Sequence, residues 1–173
     1  MKNKLSEIKE EEDLEIILSD GCRLSCRIWM PKDTEVNPVP AILEYLPYRK
    51  RDGTAARDCL THRYIASHGY ACVRVDMRGN GDSDGIMEDE YTDLELSDGV
   101  EVIHWLAAQS WCNGKVGMMG ISWGGFNSLQ IAGLAPEPLK AIITLCSTVD
   151  RYADDIHYKG GCLLNENLGW GST

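Results

Sequence analysis

Gly120-Ile121-Ser122-Trp123-Gly124 places a serine between two glycines in the spacing G-x-S-x-G. An apolar run over 115–119 leads into it, and a small-residue stretch over 125–134 leads out. Where a strand turns sharply into a helix, this spacing lifts the hydroxyl onto the tip of a strained turn, in reach of a carbonyl carbon. Both glycines fit that reading, because a side chain at 120 or 124 would collide with the neighbouring strand and helix. The rival reading is a Gly-rich turn with an incidental serine. A serine hydroxyl attacks poorly until a base takes its proton, and the tetrahedral oxyanion then needs two aimed donors. In such a turn one donor is the backbone N–H of the next residue, Trp123. The second must come from the loop after the third strand, Tyr45-Leu46-Pro47-Tyr48-Arg49-Lys50. The Tyr48 hydroxyl is a candidate, although on the residues alone Tyr48 fits an exposed turn tyrosine better.

The elements that must position these groups follow from pattern. Residues 14–19 and 22–30 alternate apolar and polar around Asp20-Gly21, a hairpin whose turn dipeptide supplies positive φ. A proline-bearing loop (31–40), a strand (41–46) and a polar, basic loop (47–58) come next, then a short helix over 60–67 and a β-rich run over 70–76. An irregular Gly/Asp loop (78–90) precedes an amphipathic helix over 93–109. Strand 115–119, the serine turn, helix 125–134 and strand 139–146 complete the order. A leading hairpin followed by alternating strands and helices implies an α/β domain, mostly parallel, with helices on both faces. The carboxyl ends of its strands then gather Tyr48, Arg78-Gly79 and Ser122. Three regions result: an acidic, solvated lead (1–13), the α/β domain (14–147), and a polar, Gly- and aromatic-rich segment (148–173).

At 173 residues the chain can form one ordinary domain. Its net charge of −10 argues against nucleic-acid partners, which need clustered Lys and Arg. No apolar run approaches the roughly 18 residues of a membrane span, and no signal-peptide core follows the first lysines, so a cytoplasmic protein without a membrane partner is expected. Seven cysteines, an odd number with no C-x-x-C, read as small buried hydrophobes, with Cys22, Cys26, Cys72 and Cys146 inside strand-like runs. His62, His68 and His104 read as helix-associated surface or satisfied residues, and no zinc-like ligand set emerges. Gly79-Asn80-Gly81 lacks the third glycine of a dinucleotide turn, and 80–91 lacks the final glutamate of a calcium loop. Neither a metal nor an organic cofactor is expected.

Tyr48 within Pro47-Tyr48-Arg49-Lys50, the run Asp76-Met77-Arg78-Gly79-Asn80-Gly81-Asp82-Ser83-Asp84-Gly85, and Gly120-Ile121-Ser122-Trp123-Gly124-Gly125 with its helix together resemble the cocaine esterase and X-Pro dipeptidyl-peptidase (CocE/NonD) family of α/β-hydrolases. The resemblance runs from about Leu14 onward, with the motifs in the family's order. It implies an α/β-hydrolase fold in its N-terminal portion, Ser122 as nucleophile, and an oxyanion hole formed by the Tyr48 hydroxyl and the Trp123 N–H. The Arg78–Gly85 loop is expected to be structural. In such folds the partners follow in the order serine, acid, histidine. Only 51 residues follow Ser122, so the acid and histidine are expected beyond Thr173, with the chain ending as a helical cap begins. His157, preceded by Asp150, Asp154 and Asp155, lies too near in sequence to approach independently and reads as a polar residue of that cap.

The function expected is a serine hydrolase that cleaves a small ester or peptide amide through an acyl-enzyme. The alternative is a non-catalytic fragment or interaction module on the same fold. Strand 139–146 would be a bare sheet edge, from which poor solubility or homo-oligomerisation is expected.

Overall fold

The computed structural model describes residues 5–170 and contains a six-stranded mixed sheet. In chain order its elements are β1 (Ile8–Ile17), β2 (Arg23–Pro31), β3 (Val39–Leu46), α1 (Ala55–Ser67), β4 (Ala71–Asp76), α2 (Asp93–Ala107), β5 (Cys112–Ile121), α3 (Trp123–Gly133) and β6 (Leu139–Leu145). A two-stranded ribbon, β7 (Tyr158–Lys159) with β8 (Cys162–Leu163), and one turn of helix, α4 (Asn167–Trp170), follow. The strands lie in the order β1-β2-β4-β3-β5-β6. The β1/β2 and β2/β4 pairs are antiparallel, and β4, β3, β5 and β6 run parallel. This is the expected leading hairpin and mostly parallel sheet, but the expected two-residue Asp20-Gly21 turn is a longer loop closed by Leu18 and Cys22, in which Gly21 has positive φ and Asp20 does not.

Period-2 alternation sorts each strand's side chains onto two faces. On one face Ile28, Met30, Leu43, Tyr45, Val73 and Val75 pack with Ile103, Leu106 and Ile131 of α2 and α3. On the other, Trp29, Ile42 and Cys72 meet Ile65 and Ala66 of α1. Helices therefore cover both faces. Both central strands are buried throughout or nearly so, since a parallel strand sandwiched between helix layers has no solvated side.

Three further expectations change. First, β1 begins at Ile8, inside the segment expected to be a solvated acidic lead. Its carboxylates are held: Glu10 pairs with Arg27 and with Arg63 of α1, and the strand shifts register between Glu11 and Leu14. Residues 1–4 of that lead and 171–173 of the expected cap lie outside the described residues. Second, α1 starts at Ala55, within the expected basic loop, where Ala55-Ala56 favour helix. Third, Cys146 lies past the end of β6 and is exposed at φ 53°, whereas Cys26 and Cys72 are buried, which pushes their thiols up to about 12. All seven cysteines are free.

One buried carboxylate joins the loops at the sheet's carboxyl edge. Asp76, the last residue of β4, accepts the Lys50 N–H at 2.8 Å and the Asp82 N–H at 3.0 Å, and its backbone carbonyl accepts the Ser83 hydroxyl at 2.6 Å. The Lys50 ammonium, 1% exposed, lies 3.8 Å from Asp76 and also pairs with Asp82. Arg78 closes the same loop on Asp98 of α2 through two bonds of 2.7 and 2.9 Å. The expected structural role of 78–85 thus has a physical basis. Removing the carboxylate leaves two amide donors without acceptors, each worth about 1–3 kcal/mol. Asp76→Ala should therefore destabilise the protein by about 3 kcal/mol in urea unfolding, and Asp76→Asn by less. A loss for Asp76→Ala below about 1 kcal/mol contradicts this account.

Candidate active site

Strand β5 ends at Ile121, and α3 begins at Trp123, so the whole change of direction falls on Ser122 at φ 53°, ψ −118°. That conformation is rarely adopted by a residue with a side chain. It is held by the Ser122 N–H donating to Leu145 O at 2.8 Å and by the Ser122 carbonyl accepting from Phe126 at 3.0 Å. The flanking glycines make the turn sterically feasible. A Cβ on Gly120 would stand 2.3 Å from the Gly124 backbone, and one on Gly124 would stand 2.8 Å from Leu46 of β3. The first contact is with backbone that cannot yield, so the helix can start this close to the sheet only with glycine there.

Tyr48 is brought to the same place from the end of β3. The Trp123 N–H donates to Tyr48 Oη at 3.4 Å, a long bond. It leaves the tyrosine's own proton free to point elsewhere. An oxygen atom seated between the two groups could accept from both at ordinary hydrogen-bond length. Tyr48, Trp123, Asn80, Glu90 and Ile156 line a cleft of about 1000 Å³. A second pocket of about 360 Å³ borders Ser122, with Phe126, Cys146, Asp154 and Asp155 around it.

His157 is placed elsewhere. Its Nδ1 lies 2.6 Å from Asn167 Oδ1, and its Nε2 lies 3.0 Å from Glu90 Oε1 without hydrogen-bond alignment. His68 bonds at the end of α1 to the Tyr64 carbonyl at 2.8 Å, and His104 lies within α2. Among the described residues the structure therefore brings together Ser122, Trp123 and Tyr48 but pairs no histidine with the serine.

Two features escaped sequence reasoning. Glu95 and Tyr91 back the Trp123 indole; the signal that could have found Glu95 is Thr92-x-x-Glu95, a capping pattern ahead of an apolar helix. His62, expected at a surface or partly buried, is fully buried with Glu44 and Asp58 beneath α1, their ligand-type atoms all within 4.8 Å. Arg57 bonds both carboxylates, at 2.5 Å to Glu44 and 2.8 Å to Asp58, and Arg74 lies 3.4 Å from Asp58. Two guanidiniums thus supply the positive charge that a metal ion would bring, and the cluster serves to seat α1.

Residues 20–173 match the family described as X-Pro dipeptidyl-peptidase (S15 family). The chain belongs to that family. It is 34% identical over 155 residues to cocaine esterase from Rhodococcus sp., covering 88% of this chain and 26% of the esterase. A CocE/NonD family hydrolase structure from Staphylococcus aureus superposes with a TM-score of 0.80 at 25% identity, covering 96% of this chain and 33% of that one. An aminopeptidase structure from a marine sediment Thaumarchaeota archaeon shares the fold, with a TM-score of 0.74, 24% identity, and coverage of 94% of this chain and 29% of that one. The chain thus spans about a quarter of the length of the curated relatives it matches first. Its sheet is the N-terminal part of the α/β-hydrolase fold of these S15 and CocE/NonD proteins. Among the described residues no helix is long and apolar enough to cross a membrane.

The cluster under α1 carries a pH dependence. Burial pushes Glu44 up to about 7 against the pull of Arg57 and Arg74, and burial pushes His62 down to about 4 against Asp58. A raised carboxyl favours the fold at low pH and loses that contribution as pH rises toward 7. A depressed imidazole does the opposite, since the unfolded chain protonates first as pH falls below 6.5. The two trends offset one another in wild type. His62→Gln removes only the second, so the variant's destabilisation relative to wild type should grow between about pH 5 and about pH 7. Urea midpoints at both values check this, and an unchanged difference contradicts it.

Proposed function

We propose that this chain carries the nucleophile and oxyanion hole of a serine hydrolase that cleaves an ester or amide through an acyl-enzyme. The observation that carries the reading is the approach of Tyr48 Oη to the Trp123 N–H beside a serine held at φ 53°. Membership of the S15 family and likeness to cocaine esterase support the hydrolase class.

In the proposed cycle Ser122 Oγ attacks the substrate carbonyl as a base removes its proton. The carbonyl oxygen becomes an oxyanion that accepts from the Trp123 N–H and the Tyr48 hydroxyl. Collapse expels the alcohol or amine, which takes a proton from the same base, and water then releases the acid from the serine. The acid and histidine of the relay are proposed to come from outside these 173 residues, since His157 Nδ1 is taken by Asn167 and no described histidine pairs with Ser122. The segment from residue 148, which is a short β-ribbon and one helical turn rather than the expected helix, supplies Ile156 to the cleft beside Tyr48 and is proposed to begin the cap. A small ester or peptide is the substrate class that this reading carries.

Ser122→Ala in the intact protein should abolish turnover of an activated ester and labelling by a fluorophosphonate. Tyr48→Phe should lower kcat by about 10² to 10³, the effect of losing one oxyanion donor, with KM little changed. Full activity in Ser122→Ala contradicts the nucleophile assignment, and an unchanged kcat in Tyr48→Phe removes the hydroxyl from the site.

A further inference from the structure

Glu95 lies in the first turn of α2 and is 6% exposed. A carboxylate is expensive to bury, and burial pushes this one above its ordinary range, offset in part by the bonds from the Trp123 indole and the Tyr91 amide. Its sequence setting, Thr92-Asp93-Leu94-Glu95, is that of a capping box, and Thr92 Oγ1 does accept the Glu95 N–H at 3.2 Å. In a capping box the glutamate returns to the N-cap amide. Here the carboxylate reaches farther. Its Oε2 accepts the Tyr91 N–H at 2.8 Å, and its Oε1 accepts the Trp123 indole N–H at 2.7 Å in a buried bond.

One of these bonds reaches the residue that follows the nucleophile directly, and the other reaches it through Tyr91. Tyr91, held at φ 60°, lays its ring against Trp123 at 5.2 Å and Phe126 at 5.4 Å between centroids. Arg151 covers the Tyr91 ring at 4.2 Å. Trp123 is therefore fixed at its backbone by the serine turn and at its side chain by a buried charge and an aromatic wall. Its amide faces Tyr48 while its indole faces Glu95.

We propose that Glu95 is a positioning residue for the oxyanion hole, acting through the Trp123 indole to hold the Trp123 amide in its donating direction. This rests on the serine hydrolase reading. A carboxylate has a use here that an apolar residue lacks, because it gives the buried indole N–H a directed acceptor. Small misplacements of such a donor are costly, on the order of 10² in rate for about 1 Å.

The test uses the intact protein in four forms: wild type, Glu95→Gln, Trp123→Phe and the double variant. Glu95→Gln keeps shape but turns a donor toward one of its two N–H partners. Trp123→Phe keeps a ring and the backbone amide but removes the indole N–H. Each single variant is expected to lower kcat about 10- to 100-fold with KM nearly unchanged, and the double variant to fall no further than the lower single. Additive losses, or full kcat in Trp123→Phe, overturn the proposal, and the latter holds even if Glu95→Gln fails to fold. Selective ¹⁵N-tryptophan labelling reads the geometry without catalysis, with Trp123 signals identified by their loss in Trp123→Phe. In Glu95→Gln both the indole and the backbone amide signals of Trp123 should shift. A shifted indole with an unmoved backbone amide overturns the proposal. Failure of the hydrolase reading shows separately, as turnover that survives Ser122→Ala.

Discussion

The close approach of α3 to the sheet is the constraint on which the rest of the site depends. Gly120 and Gly124 let the helix begin in backbone contact with β5 and close against Leu46 of β3, and Ser122 absorbs the turn at φ 53°. A side chain in such a conformation costs about 1–3 kcal/mol, and it persists because surrounding bonds over-determine it. The Leu145 carbonyl and the first turn of α3 supply those bonds. The serine is therefore raised at the carboxyl edge of a parallel sheet, where the loops leaving β3 and β4 also emerge.

Those loops are positioned by charge more than by apolar packing. Asp76 ties the segment carrying Tyr48 to the loop that follows β4, and Arg78 ties that loop to α2. On the opposite face Arg57, Arg74, Glu44, Asp58 and His62 seat α1 in a second ionic cluster. Buried networks of this kind are weak sources of stability but demand one arrangement, since any missing partner leaves a buried charge or donor unpaired. The apolar core fixes where the sheet and helices lie. The ionic bonds fix where the loop residues point.

Much of the fold was legible because its strands and helices have clean periods. The hairpin at Asp20-Gly21, the parallel strands and the serine turn could be read from pattern and spacing alone. The start of β1 was hidden because Glu10, Glu11 and Glu12 look like a solvated run, and only the three-dimensional neighbours Arg27 and Arg63 show that Glu10 has partners. The start of α1 was hidden by the charges of Arg57 and Asp58, which face inward to the cluster. The meeting of Tyr48 with Trp123 rested on the family resemblance, since nothing local distinguishes a turn tyrosine from a donor. The Thr92-x-x-Glu95 pattern marks Glu95 only as a cap, because an acid in a helix's first turn is ordinarily explained by the helix dipole and capping, and its long-range bond to Trp123 leaves no periodic trace.

The central claim is that the Trp123 amide and the Tyr48 hydroxyl act as a pair on one oxygen atom beside Ser122. The most direct measurement is a crystal structure of the intact protein after reaction with a fluorophosphonate, whose tetrahedral phosphorus mimics the intermediate of acyl transfer. The account predicts phosphorus bonded to Ser122 Oγ and one phosphonyl oxygen within about 3 Å of both Trp123 N and Tyr48 Oη. An adduct on Ser122 whose oxygens turn away from Tyr48, or no adduct on Ser122, contradicts it.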